Sequence, residues 1–239
     1  MKMQSVIRAI YPPQCVACEA QTADDHGLCG ACWRDTQFIH GLTCDACGTP
    51  LMGSGSGPLH CDDCMTIARP WDQGRAALVY DGIGRQLVLN LKHGDRTDLA
   101  VPAAKWMLHA GRQIVRPNMI VVPVPLHWSR LIARRYNQAA LLSRLVARGL
   151  GAAHVPDALR RVKRTTKMEA VGREARFAAL QGAMTHHTGR AHLLAGRDVL
   201  IVDDVMTSGA TLAAATEAVR AAGAQRVCVL TLARVVKET

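Results

Sequence analysis

No stretch of about 18 uninterrupted apolar residues occurs in this chain, which excludes a membrane-spanning helix on length alone. The first residues, MKMQSVIRAIYPPQC, lack the apolar centre of a secretory signal, so a cytosolic (cytoplasmic) protein with no membrane insertion is expected. There is no G-x-x-x-x-G-K-S/T segment, which removes the P-loop class of nucleotide binders. Aromatic residues are only 4% of the 239 residues, and no conspicuous aromatic pocket emerges from them. Acid is scarce in one region: from Arg130 to Arg197, fourteen Lys or Arg face only Asp157, Glu169 and Glu174. Residues 1–70 show the opposite balance, four basic against seven acidic, within a net charge of +10. A field this one-sided favours anionic partners, either phosphorylated small molecules or nucleic acid. The bland alternative for any single basic stretch is a solvated helical face.

Disulfides are not expected either, although there are nine cysteines. Eight form four Cys-x-x-Cys pairs: Cys15/Cys18, Cys29/Cys32, Cys44/Cys47 and Cys61/Cys64. Two thiolates on one tight knuckle cover two corners of a tetrahedron, and a second knuckle ten or more residues on supplies the others. Two structural Zn²⁺ sites follow. Sequential pairing is expected because the halves repeat the same pattern, with interleaving as the alternative. Closed Cys₄ sites leave no open position for hydrolysis, and a segment this small needs metal to fold. Cys228, in the apolar run RVCVLTLA, reads as a core residue, and His26, His40 and His60 as surface loop residues.

Turn residues and cysteine pairs dominate to Cys64, and regular apolar periodicity begins near Arg75, with a linker over 65–74. The expected domains are a small double zinc ribbon over 1–66 and an α/β domain over 75–239. In the second, RAALVYD, MIVVPVP, DVLIVDD and RVCVLTLAR read as strands. Helices are expected over GRQLVLNLKHG, from Asp98 to Ile114, from an Asn137 cap to Gly149, and over TLAAATEAVRAAG. Continuous apolar strands joined by helices imply a parallel sheet covered on both faces.

The segment VLIVDDVMTSGAT, 199–211, carries a buried strand to two adjacent acids, Asp203 and Asp204, and then into small hydroxylated residues. Ligands of open parallel sheets bind beyond the carboxyl ends of strands. Two carboxylates there suit vicinal hydroxyls, each donating to a charged acceptor. Backbone N–H groups of Val205, Met206, Thr207, Ser208, Gly209, Ala210 and Thr211, at a helix start, form an anion nest, and the hydroxyls of Thr207, Ser208 and Thr211 add donors. Together they describe a site for a sugar phosphate.

This segment resembles the 5-phosphoribosyl-1-diphosphate (PRPP) signature of type I phosphoribosyltransferases. With the cysteine pairs, LKHG, VVPVPLHWSRLIARRYNQA and the basic stretch, the whole chain resembles the ComF family, associated with DNA uptake in competent bacteria. The fold this implies is a type I phosphoribosyltransferase-like parallel sheet flanked by helices, preceded by a double zinc ribbon. The resemblance implies Asp203 and Asp204 as catalytic residues and positions 205–211 as the phosphate loop. It also implies Pro123, Val124 and Pro125 within a pyrophosphate loop, and Mg²⁺ bound with PRPP. Arg134 and Arg135, with Arg160, Arg161, Lys163, Arg164 and Lys167, could neutralise the diphosphate or close over it. Two activities stay open: phosphoribosyl transfer to an unknown acceptor with pyrophosphate release, or PRPP sensing by a protein that holds single-stranded DNA near the DNA-uptake machinery. Thr207 stands where hypoxanthine-type enzymes carry an aspartate, which disfavours such an acceptor; Lys92 or His93 could serve as acid or base, or simply end a helix. The family's Arg-Gly-aromatic-Asn-Gln motif has Arg135 in place of its glycine here. Met168 and Ala179 stand where relatives commonly show glutamine and asparagine.

Overall fold

The computed structural model of the chain describes residues 11–23, 25–55, 57–93, 96–163 and 173–236. Its strands in chain order are β1 Gln73–Val79, β2 Ile120–Pro123, β3 Ala153–His154, β4 Leu159–Arg161, β5 Met184–His186, β6 Asp198–Met206 and β7 Arg226–Arg234. Five of them form one sheet in the order β1-β7-β6-β2-β3, every pairing parallel, while β4 and β5 form a separate antiparallel pair. The helices are α1 Gly30–Asp35, α2 Asp62–Thr66, α3 Gly82–His93, α4 Ala100–Gly111, α5 Trp128–Arg134, α6 Gln138–Leu150, α7 Arg173–Leu180, α8 Ala191–Leu194 and α9 Ala210–Ala221. Among the described residues no helix is long and apolar enough to cross a membrane.

The central strands are apolar without alternation because both faces of the sheet are covered. Val199, Ile201, Val227 and Val229 enter one buried cluster, and Leu200, Val202, Cys228 and Leu230 enter the other. Each such side chain contributes about 1.5–3 kcal/mol when fully buried, so the two middle strands fix the fold. Cys228 is the small core residue its neighbours imply, and burial pushes its thiol up to about 11.

Helix boundaries follow local chemistry. Asn137 caps α6 through a bond from the Ala139 N–H at 3.0 Å, as expected. The helix then runs past Gly149 to Leu150 and closes at Gly151, which takes φ 62°. Gly149 is there for packing: a Cβ at this position would lie 2.4 Å from Leu108 Cδ1. The expected helix from Asp98 instead opens with a 3-10 turn over Thr97–Leu99 before α4 begins. Pro102 sits in the first turn of α4, where its missing N–H has no partner to lose.

The cysteine-rich segment is bound to the outer edge of the sheet. Ile39 donates its N–H to the Ala77 carbonyl at 2.8 Å, and Val79 to Gln37 at 2.9 Å, covering the free edge of β1. Arg75 pairs with Asp45 at 2.7 Å, holding that carboxyl below its ordinary range against the opposing effect of burial. Cys44, Cys47 and Cys64 belong to the same buried cluster as Ile120 and Val199, so this end of the ribbon is continuous with the core.

Candidate functional site

β6 carries the acid pair to the carboxyl edge of the sheet, beside Thr231 of β7 in register with Asp203. Asp204 is only 8% exposed, and its carboxylate lies 3.2 Å from Lys92 Nζ in the last turn of α3. Asp203 is half-buried and accepts the Asp204 N–H at 2.9 Å. Burial, and then the neighbouring Asp204 charge, push Asp203 up to about 7, against the pull of the Asp204 N–H, Lys92 and Arg161. It therefore exchanges its proton near neutral pH, where an ordinary carboxylate is fully ionised.

After β6 the chain turns over Thr207, Ser208 and Gly209 into α9. Gly209 is the N-cap at φ 85°, a conformation that side-chain-bearing residues avoid. Ser208 Oγ accepts the Ala210 N–H at 3.4 Å. The turn leaves the amino end of a twelve-residue helix beside the two acids.

Of the residues singled out from sequence, Asp203, Asp204, Val205, Thr207, Thr211, Val124, Pro125 and Arg134 line one cavity of about 260 Å³. Lys92 and Arg161 line it as well. Met206 is buried at the end of β6, Pro123 is buried in β2, and Gly209 and Ala210 are buried at the start of α9; with half-buried Ser208 they flank the cavity without lining it. Arg135 lies off the cavity, exposed, as the C-cap of α5 with φ 64°. A left-handed backbone at this position is the physical reason a glycine suits it. His93 lies outside the lining. Arg164, Lys167 and Met168 lie outside the described residues.

Sequence reading missed several members of the site. Tyr80 and Gln138 line the cavity, and Asn137 does so while donating from Nδ2 to the Val124 carbonyl at 3.0 Å, which fixes the loop after β2. The Asn137 cap was legible, but its second bond joins segments that no local pattern relates. The result is a cleft with two acids on one side, three cations (Lys92, Arg134 and Arg161) around it, and a helix amino end at the rim. Such a cleft can accept hydroxyl donors and an anion together.

The eight paired cysteines gather into two clusters, Cys15, Cys18, Cys29 and Cys32 in one, and Cys44, Cys47, Cys61 and Cys64 in the other, which is the sequential pairing. In each, the Sγ atoms all lie within 4.8 Å of one another. Cys18 and Cys29 are 3.6 Å apart at sulfur, as are Cys47 and Cys61. A tetrahedron with Zn–S bonds of about 2.3 Å has sulfur–sulfur edges of about 3.8 Å, so both clusters fit zinc. Four soft thiolates also exclude the hard cations magnesium and calcium. The thiols shift apart: Cys47 is lowered by the thiols of Cys44 and Cys64, with Arg234 assisting against burial, while contacts with Cys44 and Cys47 raise Cys64.

Residues 6–65 match the double zinc ribbon domain, and residues 139–238 match the phosphoribosyl transferase domain. The class defined by fold and site is therefore a zinc ribbon joined to a type I phosphoribosyltransferase-like α/β unit. The DNA utilization protein YhgH of Salmonella typhi is 31% identical over 231 residues, 93% of this chain and 97% of the relative. Competence protein F of Haemophilus influenzae is 26% identical over 227 residues, covering 92% and 96%. With such identity along nearly the whole length, the chain belongs to the family of ComF and DNA utilization protein YhgH. Among solved structures, the allosteric regulatory enzyme of purine biosynthesis aligns with 60% of this chain at 16% identity and TM-score 0.40. The glutamine PRPP amidotransferase of B. subtilis aligns with 59% at 15% identity and TM-score 0.40. The chain spans 30% of the length of either enzyme.

Proposed function

We propose that the cleft binds PRPP and that the protein transfers its phosphoribosyl group to an acceptor, releasing pyrophosphate. The observation that carries this reading is that Asp203, Asp204, Thr207 and Thr211 share one cavity with Lys92, Arg134 and Arg161. In it the two carboxylates accept the ribose hydroxyls, the 205–211 turn holds the 5-phosphate on backbone N–H groups, and Pro123, Val124 and Pro125 border the diphosphate. Arg134 and Arg161 offset the charge that builds on the departing diphosphate. Lys92 holds Asp204 in place, and Thr207 leaves the loop without the acid that would serve a hypoxanthine-like base. The two acids, one already paired with Lys92, form no closed cage, so magnesium fits here as an ion carried mainly by diphosphate oxygens and water, where it supplies further charge neutralisation.

The same reading divides the chain into a zinc-ribbon module over 1–66 and a transferase-like domain over 75–239, and places the protein in the cytoplasm. Incubation with PRPP, magnesium and a panel of nucleobase, amine and carboxylate acceptors tests it. Acceptor-dependent pyrophosphate release that is lost in Asp203→Asn supports transfer; no release with any acceptor, despite bound PRPP, leaves a sensing role in its place.

A second reading is favoured by α5. Trp128 is 67% exposed, Ile132 is 72% exposed, and Arg134 and Arg135 follow on the same short helix end. An exposed indole beside cations suits stacking on single-stranded DNA, which accords with the name DNA utilization protein borne by relatives and with a place near DNA-uptake machinery. Binding that weakens steeply with salt and is lost in Trp128→Ala supports it; a flat salt response removes it.

A further inference from the structure

The two metal clusters differ in what surrounds them. A zinc ion held by four thiolates leaves two negative charges to be balanced. At the second cluster two arginines are in place to balance them. Arg69 Nε donates to Cys64 Sγ at 3.4 Å, and Arg234 Nη2 lies 3.9 Å from Cys47 Sγ. Arg234 is 4% exposed and forms no carboxylate ion pair among the described residues, so the cluster is the counter-charge within its hydrogen-bonding reach.

Each arginine also turns its Nη1 to the phosphate loop. Arg69 Nη1 donates to the Ser208 carbonyl at 2.7 Å across 139 residues of sequence. Arg234 Nη1 donates to the Met206 and Thr207 carbonyls at 3.2 and 2.5 Å. Three successive carbonyls of the turn are thus tied to two guanidiniums, each of which also places one nitrogen against a metal-binding sulfur. A carbonyl held outward orients its own peptide, so the N–H groups of the following residues, Thr207, Ser208 and Gly209, are set by the same bonds. Gly209 itself packs on this bridge: a Cβ there would lie 2.9 Å from Arg69 Nη1 and 3.0 Å from Trp71 Cη2.

We infer that Arg69 and Arg234 are positioning residues that couple the second Cys₄ site to the phosphate loop, so that metal at Cys44, Cys47, Cys61 and Cys64 sets the loop's grip on a phosphoribosyl anion. This rests on the proposed reading of the cleft for its ligand, but not for the coupling itself. With metal bound, thiolate sulfur accepts from both guanidiniums and fixes them. Without it, nothing holds the four sulfurs together, the arginines lose acceptors at fixed positions, and the carbonyls of 206–208 lose their fixed donors. The coupling is reciprocal by linkage: whatever factor zinc contributes to anion binding, the anion returns to zinc retention.

The test uses the full zinc-loaded chain and hydrogen exchange of 205–211, with and without a zinc-selective chelator, alongside release of each zinc equivalent with and without PRPP and magnesium. Chelation is expected to raise exchange in the loop while β7 stays protected. PRPP is expected to slow loss of one zinc equivalent several-fold and leave the other unchanged. Arg69→Gln, at a half-buried position, is expected to lower PRPP affinity about tenfold, the scale of one charge-assisted hydrogen bond, and to abolish the protection of zinc. Arg69→Lys is expected to restore part of it. Loop exchange unaffected by loss of both zincs overturns the coupling whether or not PRPP binds. PRPP binding that slows neither zinc overturns it while leaving the cleft's reading intact.

Discussion

Replacing Asp203 by asparagine removes a carboxyl that the fold holds at about 7 in place of its ordinary 3.8. Below about pH 4 the side chain is protonated both folded and unfolded, and it has no effect on the balance. Between about pH 4 and 7 the unfolded carboxyl ionises while the folded one keeps its proton, so native stability falls as pH rises; above 7 the loss is complete. At about 1.4 kcal/mol per pKa unit, the penalty is on the order of 1–2 kcal/mol at pH 5 and on the order of 4 kcal/mol at pH 8. The half-buried side chain keeps some water, so both figures are upper values. Asparagine is nearly isosteric and uncharged, and it escapes the penalty at both pH values. Thermal melts of the ligand-free protein should therefore show Asp203→Asn raising Tm by about 3 °C at pH 5 and about 8 °C at pH 8, given about 2–4 °C per kcal/mol at this size. An equal rise at both pH values, or a fall at pH 8, would refute the reasoning, because the acid pair would then not be held under strain for binding.

Three further outcomes follow from the same geometry. Gly209→Ala forces a Cβ against Arg69 and Trp71 at φ 85°, and should cost about 1–3 kcal/mol in denaturant melts and weaken PRPP binding as well. Arg135→Gly relieves a left-handed residue at the end of α5 and should stabilise by about 0.5–1 kcal/mol, read from the urea midpoint. Metal analysis should find two zinc ions per chain, and exhaustive chelation should lower the melting midpoint while the sheet keeps its cooperative transition, since Cys44, Cys47 and Cys64 join one side of the core cluster around Val199 and the strands and helices of the sheet supply the rest.

What sequence revealed depended on whether the governing contacts were local or simply apolar. β7 falls on the run RVCVLTLAR, and α9 stops just before Gly223, because burial on both faces and a left-handed glycine leave plain local marks. The helix α5 left no such mark: Trp128, Leu131 and Ile132 are all exposed, so its apolar residues trace no buried face. The strands β4 and β5 are three residues each and meet across more than twenty residues of chain, too short for periodicity to register. In the cleft, the acid pair and its turn could be read from one segment. The ion pair between Lys92 and Asp204 could not, since it is made by folding distant segments together. The bonds from Arg69 and Arg234 to the turn were hidden for the same reason, although each residue is plain in the sequence.

The edge of β6 is the proposed seat of PRPP, and binding there can be measured directly. Isothermal titration of the zinc-loaded protein with PRPP and magnesium should give one site per chain in the wild type, binding weakened at least tenfold in Asp203→Asn with Asp204→Asn, and no comparable heat from ribose 5-phosphate at the same concentration. Equal heats for wild type and the double variant would contradict it.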